Sequence, residues 1–304
     1  MNNDKESVVI IGAGEIGSAI KKILEQKELE LLIWDKDVNK IPDQKPLTEI
    51  IPNADFLFIC TPSWTLQEVL LNIKPLLSNT TIVVSLAKGI NEQSNHTTDE
   101  LMKKFLPENQ NFALLGGAML AEELLAGLSG IGVIATKEID TFKKLANLFS
   151  QTNLLVEYSE DIHGTALAGI LKNIYAVALG IADGLNWSSN QKGWLVSKSV
   201  GEMLDIIKIL GGKEETIYGI AGLGDLIATG YSSYSLNRQA GENLVKTNEV
   251  MKSEGVVSLP PLFSMLDGKI EQLPLLTTLE KVITKNKDPK DAFEQFVSGL
   301  KPNL

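Results

Sequence analysis

The sequence predicts an α/β protein whose N-terminal half is a doubly wound parallel sheet and whose C-terminal half is all helical. Three observations predict it. A β-branched run, SVVIIG at 7–12, leads directly into Gly12-Ala13-Gly14-Glu15-Ile16-Gly17 and then into a helical pattern. Strand-like and helix-like segments alternate to about residue 158, as βαβ units do. Beyond Asp161 only helical patterns follow, so the expected domains are residues 1–158 and 159–304.

The first strand, glycine turn and helix form the dinucleotide fingerprint of a Rossmann-type domain. Gly12 makes the tight turn, Gly14 lets the backbone approach a pyrophosphate, and Gly17 lets helix and strand pack closely. The pyrophosphate then sits at a helix N-terminus. Glu15 is out of place there unless its carboxylate turns to solvent. The second strand, LELLIWD, ends at Asp35, about twenty residues past the glycines, where a carboxylate accepts from the ribose hydroxyls of NAD and repels the 2′-phosphate of NADP. NAD is therefore the expected cofactor and NADP the weaker one. Lys36 follows and can partly offset the repulsion; a solvated turn is the alternative for this stretch.

Further strands are expected at 55–61, 80–86, 112–115, 130–135 and 154–158, with helices at 63–77, 98–105 and 138–150. Ligands of such sheets bind beyond the carboxyl ends of the strands. Lys88, Gly116 and Gly117 fall at such ends.

The second half is organised around 164–185, GTALAGILKNIYAVALGIADGL, apolar on nearly every side apart from Lys172 and Asn173. A helix apolar all round is buried. Its lysine either finds partners and exchanges protons with a substrate or snorkels to a nearby surface. Further helices are expected at 197–210, 242–251 and 276–284. Between them, 219–229 (GIAGLGDLIAT) carries one acid, Asp225. A carboxylate in apolar surroundings needs a partner, and Lys172 is the obvious one. The stretch 231–241, YSSYSLNRQAG, is either an oxyanion site or a polar loop capping the next helix.

Composition narrows the function. A formal charge of −10 argues against nucleic acid or an anionic membrane as partner. Cys60 is the only cysteine, so a reducing, cytoplasmic setting is expected. No signal segment is read before the first strand, and no apolar run reaches spanning length without a charge, so membrane insertion is not expected. His96 and His163 are far apart, and no metal-ligand cluster is seen. Of 28 basic residues, only Arg238 is an arginine.

Together these pieces resemble the NAD(P)-dependent glycerol-3-phosphate dehydrogenases. The resemblance rests on GAGxxG, Thr61-Pro62-Ser63, Lys88-Gly89-Ile90, Gly117 followed by Ala121-Glu122-Glu123, Leu171-Lys172-Asn173, Asn190, residues 222–227 and residues 235–241, in the family's order. It implies a two-domain oxidoreductase acting on dihydroxyacetone phosphate, a phosphorylated three-carbon substrate. Lys172 matches the family's general acid, with Lys88 and Asp225 as charged neighbours. Gly117, Ser235 and Asn237 match substrate contacts, and Asn173, Thr229 and Arg238 join them as candidates. Ala121 and Glu254 match cofactor contacts, beside Gly12, Gly14, Glu15, Ile16, Gly17, Asp35, Lys36 and Lys88. A homodimer is expected.

Three positions depart from the family. A substrate-contacting serine is replaced by Met119, the arginine that grips phosphate by Leu236, and the aromatic of the first glycine loop by Ile16. A lysine at 236 would have kept the charge; leucine does not. Two other readings follow: a dehydrogenase of the same lineage for another small hydroxy compound, or a catalytically weak protein that senses NAD.

Overall fold

The computed structural model describes residues 5–299. Its sheet has seven strands, β1 (Ser7–Ile11), β2 (Glu30–Trp34), β3 (Phe56–Ile59), β4 (Ile82–Ser85), β5 (Phe112–Ala118), β6 (Gly130–Ala135) and β7 (Leu154–Ser159), in the order β2-β1-β3-β4-β5-β6-β7. Helices α1 (Glu15–Leu24), α2 (Leu47–Ile50), α3 (Leu66–Ile73), α4 (Thr98–Phe105), α5 (Ala121–Leu125) and α6 (Ile139–Phe149) intervene. The strands β1 to β5 run parallel, as the sequence predicts, whereas β6 is antiparallel to β5 and β7 follows β6. The reason is the connection. Parallel neighbours need a crossover of about a dozen residues or more, and residues 119–129 hold only the five-residue α5.

Successive β1 residues feed opposite faces of the sheet. Val8 and Ile10 pack into one core with Ile20, Phe58 and Phe149, and Val9 and Ile11 into the other with Leu57, Leu66 and Leu101. Both faces being covered explains why the central strands are apolar without alternation.

The remaining elements are helices: α7 (Ile162–Gly184), α8 (Ser189–Leu210), α9 (Glu214–Tyr218), α10 (Asp225–Tyr231), α11 (Leu236–Thr247), α12 (Glu254–Leu266), α13 (Pro274–Ile283) and α14 (Pro289–Gly299). The chain divides into two compact units. The first runs to Lys88 and includes His96–Ala166; the second is Gly89–Asn95 with the chain from Leu167. The division thus falls inside α7, and 89–95 joins the helical unit, where Asn95 Nδ2 donates to Ser264 Oγ at 3.0 Å. By length and composition α7 could cross a membrane, yet its apolar window is wholly buried in the protein, as in a core helix.

Boundaries shift where local chemistry intervenes. The expected 63–77 helix is α3 flanked by 3-10 turns, the second with Pro75 at its start. The expected 197–210 helix begins eight residues earlier, at Ser189, because Ser188 and Gln191 form a capping box. Likewise α11 begins inside the polar stretch, at Leu236, and ends where Asn248 takes a left-handed conformation.

Candidate active site

In the first unit the chain reverses direction across the sheet at β1, with β2 on one side and β3 on the other. Ligands of open α/β sheets bind at that switch point. There Gly12 turns at φ +106°, and its amide donates to Trp34 O at 2.7 Å. A Cβ on Gly12 would lie 2.7 Å from Cys60 O, and one on Gly17 would lie 1.8 Å from Gly12 O. Gly14 is different: nothing stands within 4 Å of its ideal Cβ, so the space is open on the side from which a pyrophosphate approaches. No side chain caps α1, whose N-terminal amides are left to an anion. Glu15 is exposed and lies beside Glu122, whose carboxyl is pushed up by burial and by the adjacent Glu15 and Glu123. Ile16 packs against the sheet core.

Beside the glycine turn lies a cavity of about 310 Å³ lined by Gly12, Gly14, Trp34, Asp35, Thr61 and Val69 among others. Asp35 is buried. Its Oδ2 accepts from Ala13 N at 2.7 Å and Oδ1 from Asp37 N at 2.9 Å. Burial pushes its carboxyl up, but these amides and Lys40 outweigh that and hold it below its ordinary value. The cation that offsets Asp35 is Lys40, at 3.2 Å, whereas Lys36, the expected one, pairs with Glu68 at 2.8 Å. Gln44 fixes the Asp35 backbone by taking its amide and donating to its carbonyl. The buried Thr61 hydroxyl has no partner among the described residues. An open glycine cradle, an uncapped helix and an ionised, oriented carboxylate fit a nicotinamide dinucleotide.

Further along the same sheet edge, Lys88 Nζ donates to Gly117 O at 3.1 Å. Gly117 has φ +102°, and a Cβ there would meet Ile131 O at 2.6 Å, so only glycine offers its carbonyl in this way. Met119 is buried in the sheet core, its sulfur 3.2 Å from where a Cβ on Gly132 would stand. Ala121 begins α5 and is buried in the same core.

In the second unit α7 is enclosed by glycine contacts. A Cβ on Gly230 of α10 would strike Leu179, one on Gly241 of α11 would lie 2.1 Å from Val177 O, and one on Gly255 of α12 would lie 2.3 Å from Asn173 O. Three helices therefore approach α7 at close range. A π-helical turn at Ile220–Gly224 delivers α10, with Gly222 pressed against Ile217. Asp225 and Thr229, four residues apart, share one face of α10. Lys172 Nζ lies 2.6 Å from Thr229 Oγ1 and 3.0 Å from Asp225 Oδ1, and the Thr229 hydroxyl donates to Asp225 Oδ1 at 3.0 Å. All three are buried. A buried ammonium so held has a fixed direction and a fixed counter-charge.

Next to it, Asn237 Nδ2 donates to Asn173 Oδ1, and Asn237 Oδ1 accepts from Gly255 N, both at 2.8 Å. Ser235 caps α11 by accepting from Arg238 N. Glu254 opens α12, capped by Ser253. Arg238 Nε bonds Asp183 Oδ2 at 2.7 Å and its Nη2 lies 2.6 Å from Glu242 Oε1. Burial pushes the Asp183 carboxyl up, but Lys192 and Arg238 outweigh it and hold Asp183 below its usual range. The arginine read as a candidate phosphate contact is thus engaged by two carboxylates, and Leu236, the first residue of α11, is 57% exposed.

Sequence reasoning did not single out Lys40, Gln44, Glu68 or Asp183. Lys40 and Gln44 lie in a loop without periodicity, and Glu68 and Asp183 meet partners 32 and 55 residues away. No sequence signal marks them.

An open glycine cradle on a Rossmann-type sheet, joined in one chain to a helical unit with a buried lysine–carboxylate pair, defines a nicotinamide-dependent dehydrogenase. Family models described as the N-terminus and the C-terminus of NAD-dependent glycerol-3-phosphate dehydrogenase match residues 39–141 and 161–294. A curated glycerol-3-phosphate dehydrogenase (NAD(P)+) of Clostridium botulinum, strain Alaska E43, is 30% identical over 95% of this chain and 96% of its own. That of Clostridium tetani is 29% identical over 94% and 90%. The crystal structure of glycerol-3-phosphate dehydrogenase from Coxiella burnetii matches with TM-score 0.87 at 25% identity, covering 96% of this chain and 99% of that one. The chain belongs to the NAD-dependent glycerol-3-phosphate dehydrogenase family.

Proposed function

We propose that the protein interconverts dihydroxyacetone phosphate and sn-glycerol 3-phosphate, with the first unit binding NAD(H) and Lys172 as general acid and base. The observation that carries this reading is the Lys172–Asp225–Thr229 cluster. When bound, the cofactor supplies or accepts the hydride. Lys172 donates a proton to the carbonyl oxygen as negative charge grows there, and takes it back in the oxidation. Asp225 balances the ammonium and Thr229 aims it. Gly12, Gly14 and Gly17 receive the pyrophosphate, and the ionised Asp35 favours NAD over NADP. Lys88 is assigned a place among the charged groups of the reaction by its match to the family. We read the active form as a cytoplasmic homodimer, a reading supported for location by the single, buried Cys60; sedimentation analysis tests the dimer.

One observation favours a second reading, a dehydrogenase for a small unphosphorylated hydroxy compound. Leu236 presents no charge, and Arg238 is held by Asp183 and Glu242. The deciding experiment is NADH oxidation with dihydroxyacetone phosphate beside unphosphorylated hydroxyketones. Turnover of the phosphorylated substrate with the higher kcat/KM supports the first reading, and the reverse order supports the second. Cofactor binding without turnover of any of them supports an NAD sensor.

A further inference from the structure

The rim of the cavity beside the glycine turn carries four charged side chains in two ion pairs, Lys40 with Asp35 and Lys36 with Glu68. They divide the work unequally. Asp35 is buried and fixed by two backbone amides, so it cannot swing aside for an incoming anion. Lys40 is already turned onto Asp35. Lys36 is the remaining cation of this rim, and its ammonium is drawn to Glu68 on α3. Side-chain exposures of 80% for Lys36 and 58% for Glu68 mean that their pair adds little to stability. Its consequence is where the ammonium goes.

We propose that Glu68 is a cofactor-specificity residue: by holding Lys36 on the α3 side of the cavity it withholds that cation from a 2′-phosphate. Discrimination against NADP(H) then rests on Asp35 and Glu68 together. The inference rests on reading this cavity as the site of the adenosine ribose. A 2′-phosphate brings a charge of about −1.5 to −2 at neutral pH. Two cations and two carboxylates leave the rim formally neutral, with nothing net to attract it. Neutralising Glu68 leaves the rim at +1 and frees a flexible ammonium that acts as a point charge towards phosphate. Both groups are exposed, so the effect is modest and falls with salt.

The test is a fluorescence titration of the full chain with NADH and with NADPH, using wild type, Glu68→Gln and the double variant Glu68→Gln/Lys36→Ala. In Glu68→Gln the NADPH-to-NADH affinity ratio is expected to rise about three- to fivefold at low salt, the span an exposed ion pair provides. The gain is expected to vanish in the double variant and at high salt. An unaltered ratio in Glu68→Gln, with NADH still binding, overturns the inference alone. A gain that survives in the double variant also overturns it, because Lys36 is then not the group released. If wild type binds neither dinucleotide, the reading of the cavity fails and takes the inference with it.

Discussion

Lys172 Nζ and Asp225 Oδ1 stand 3.0 Å apart in the interior of the helical unit, and Thr229 bonds to both. Deleting one member of a buried ion pair typically costs about 3–5 kcal/mol, whereas replacing both by apolar groups is often nearly neutral. Asp225→Ala is therefore expected to lower the denaturant midpoint sharply, and Lys172→Met/Asp225→Leu to recover most of the loss. A double variant no more stable than the single one contradicts the pairing energetics.

The glycine turn separates two roles that one substitution type can distinguish. Gly17→Ala forces a Cβ against Gly12 O, so it is expected to damage the fold itself. Gly14→Ala meets nothing within 4 Å and is expected to melt like wild type while losing dinucleotide affinity. Thermal melting with NADH titration checks both. Wild-type affinity in Gly14→Ala argues against pyrophosphate binding at this turn.

Stability should depend on pH through Asp99. Its carboxylate is fully buried in the first unit, beside His163 at 3.2 Å and Lys103 at 2.7 Å. Burial pushes the carboxyl up, but His163, Lys103 and Thr97 outweigh it and hold Asp99 well below the usual range. A folded-state pKa below the unfolded one gives stability that is present above about pH 4 and is lost as pH falls towards the folded value. Asp99→Asn is expected to cost roughly 2 kcal/mol or more at pH 7. Its deficit against wild type should shrink below about pH 4. A melting series from pH 7 downwards checks this, and a deficit that grows in acid is the opposite outcome.

How much of this was legible in the sequence follows from the range of the interactions. The glycine turn, β1 to β5 and the buried helix around Lys172 are written in local patterns, and so was the need of Asp225 for a partner. The reversal of β6 was less so, because it turns on the shortness of the 119–129 connection rather than on strand composition. The resemblance sets Met119 beside the substrate, but its side chain is turned into the core against Gly132. Arg238 is a candidate phosphate contact in the sequence, and the bond it makes to Asp183, 55 residues earlier, has no local signal there. Partners so distant in sequence leave no periodic trace.

Arg238 and Leu236 now make separate predictions. Arg238→Ala strands Asp183 beside Lys192 alone, so it is expected to destabilise the helical unit by about 1–3 kcal/mol. It should act through stability rather than through phosphate affinity, so KM for dihydroxyacetone phosphate should change little in folded protein. Leu236→Arg restores a charged donor, and an ionic hydrogen bond of about 1.5–3 kcal/mol corresponds to a rise of about tenfold or more in kcat/KM. Steady-state kinetics with phosphorylated and unphosphorylated ketones measure both. No gain from Leu236→Arg argues that phosphate is not held at this helix start.

Proton transfer by Lys172 is measured by the turnover of Lys172→Ala with dihydroxyacetone phosphate and NADH. Circular dichroism establishes that the variant is folded, and titration establishes that it binds NADH. A loss of about 10²-fold or more in kcat is expected, with cofactor affinity kept within a few-fold. A folded, NADH-binding Lys172→Ala protein that turns over at close to the wild-type rate would contradict it.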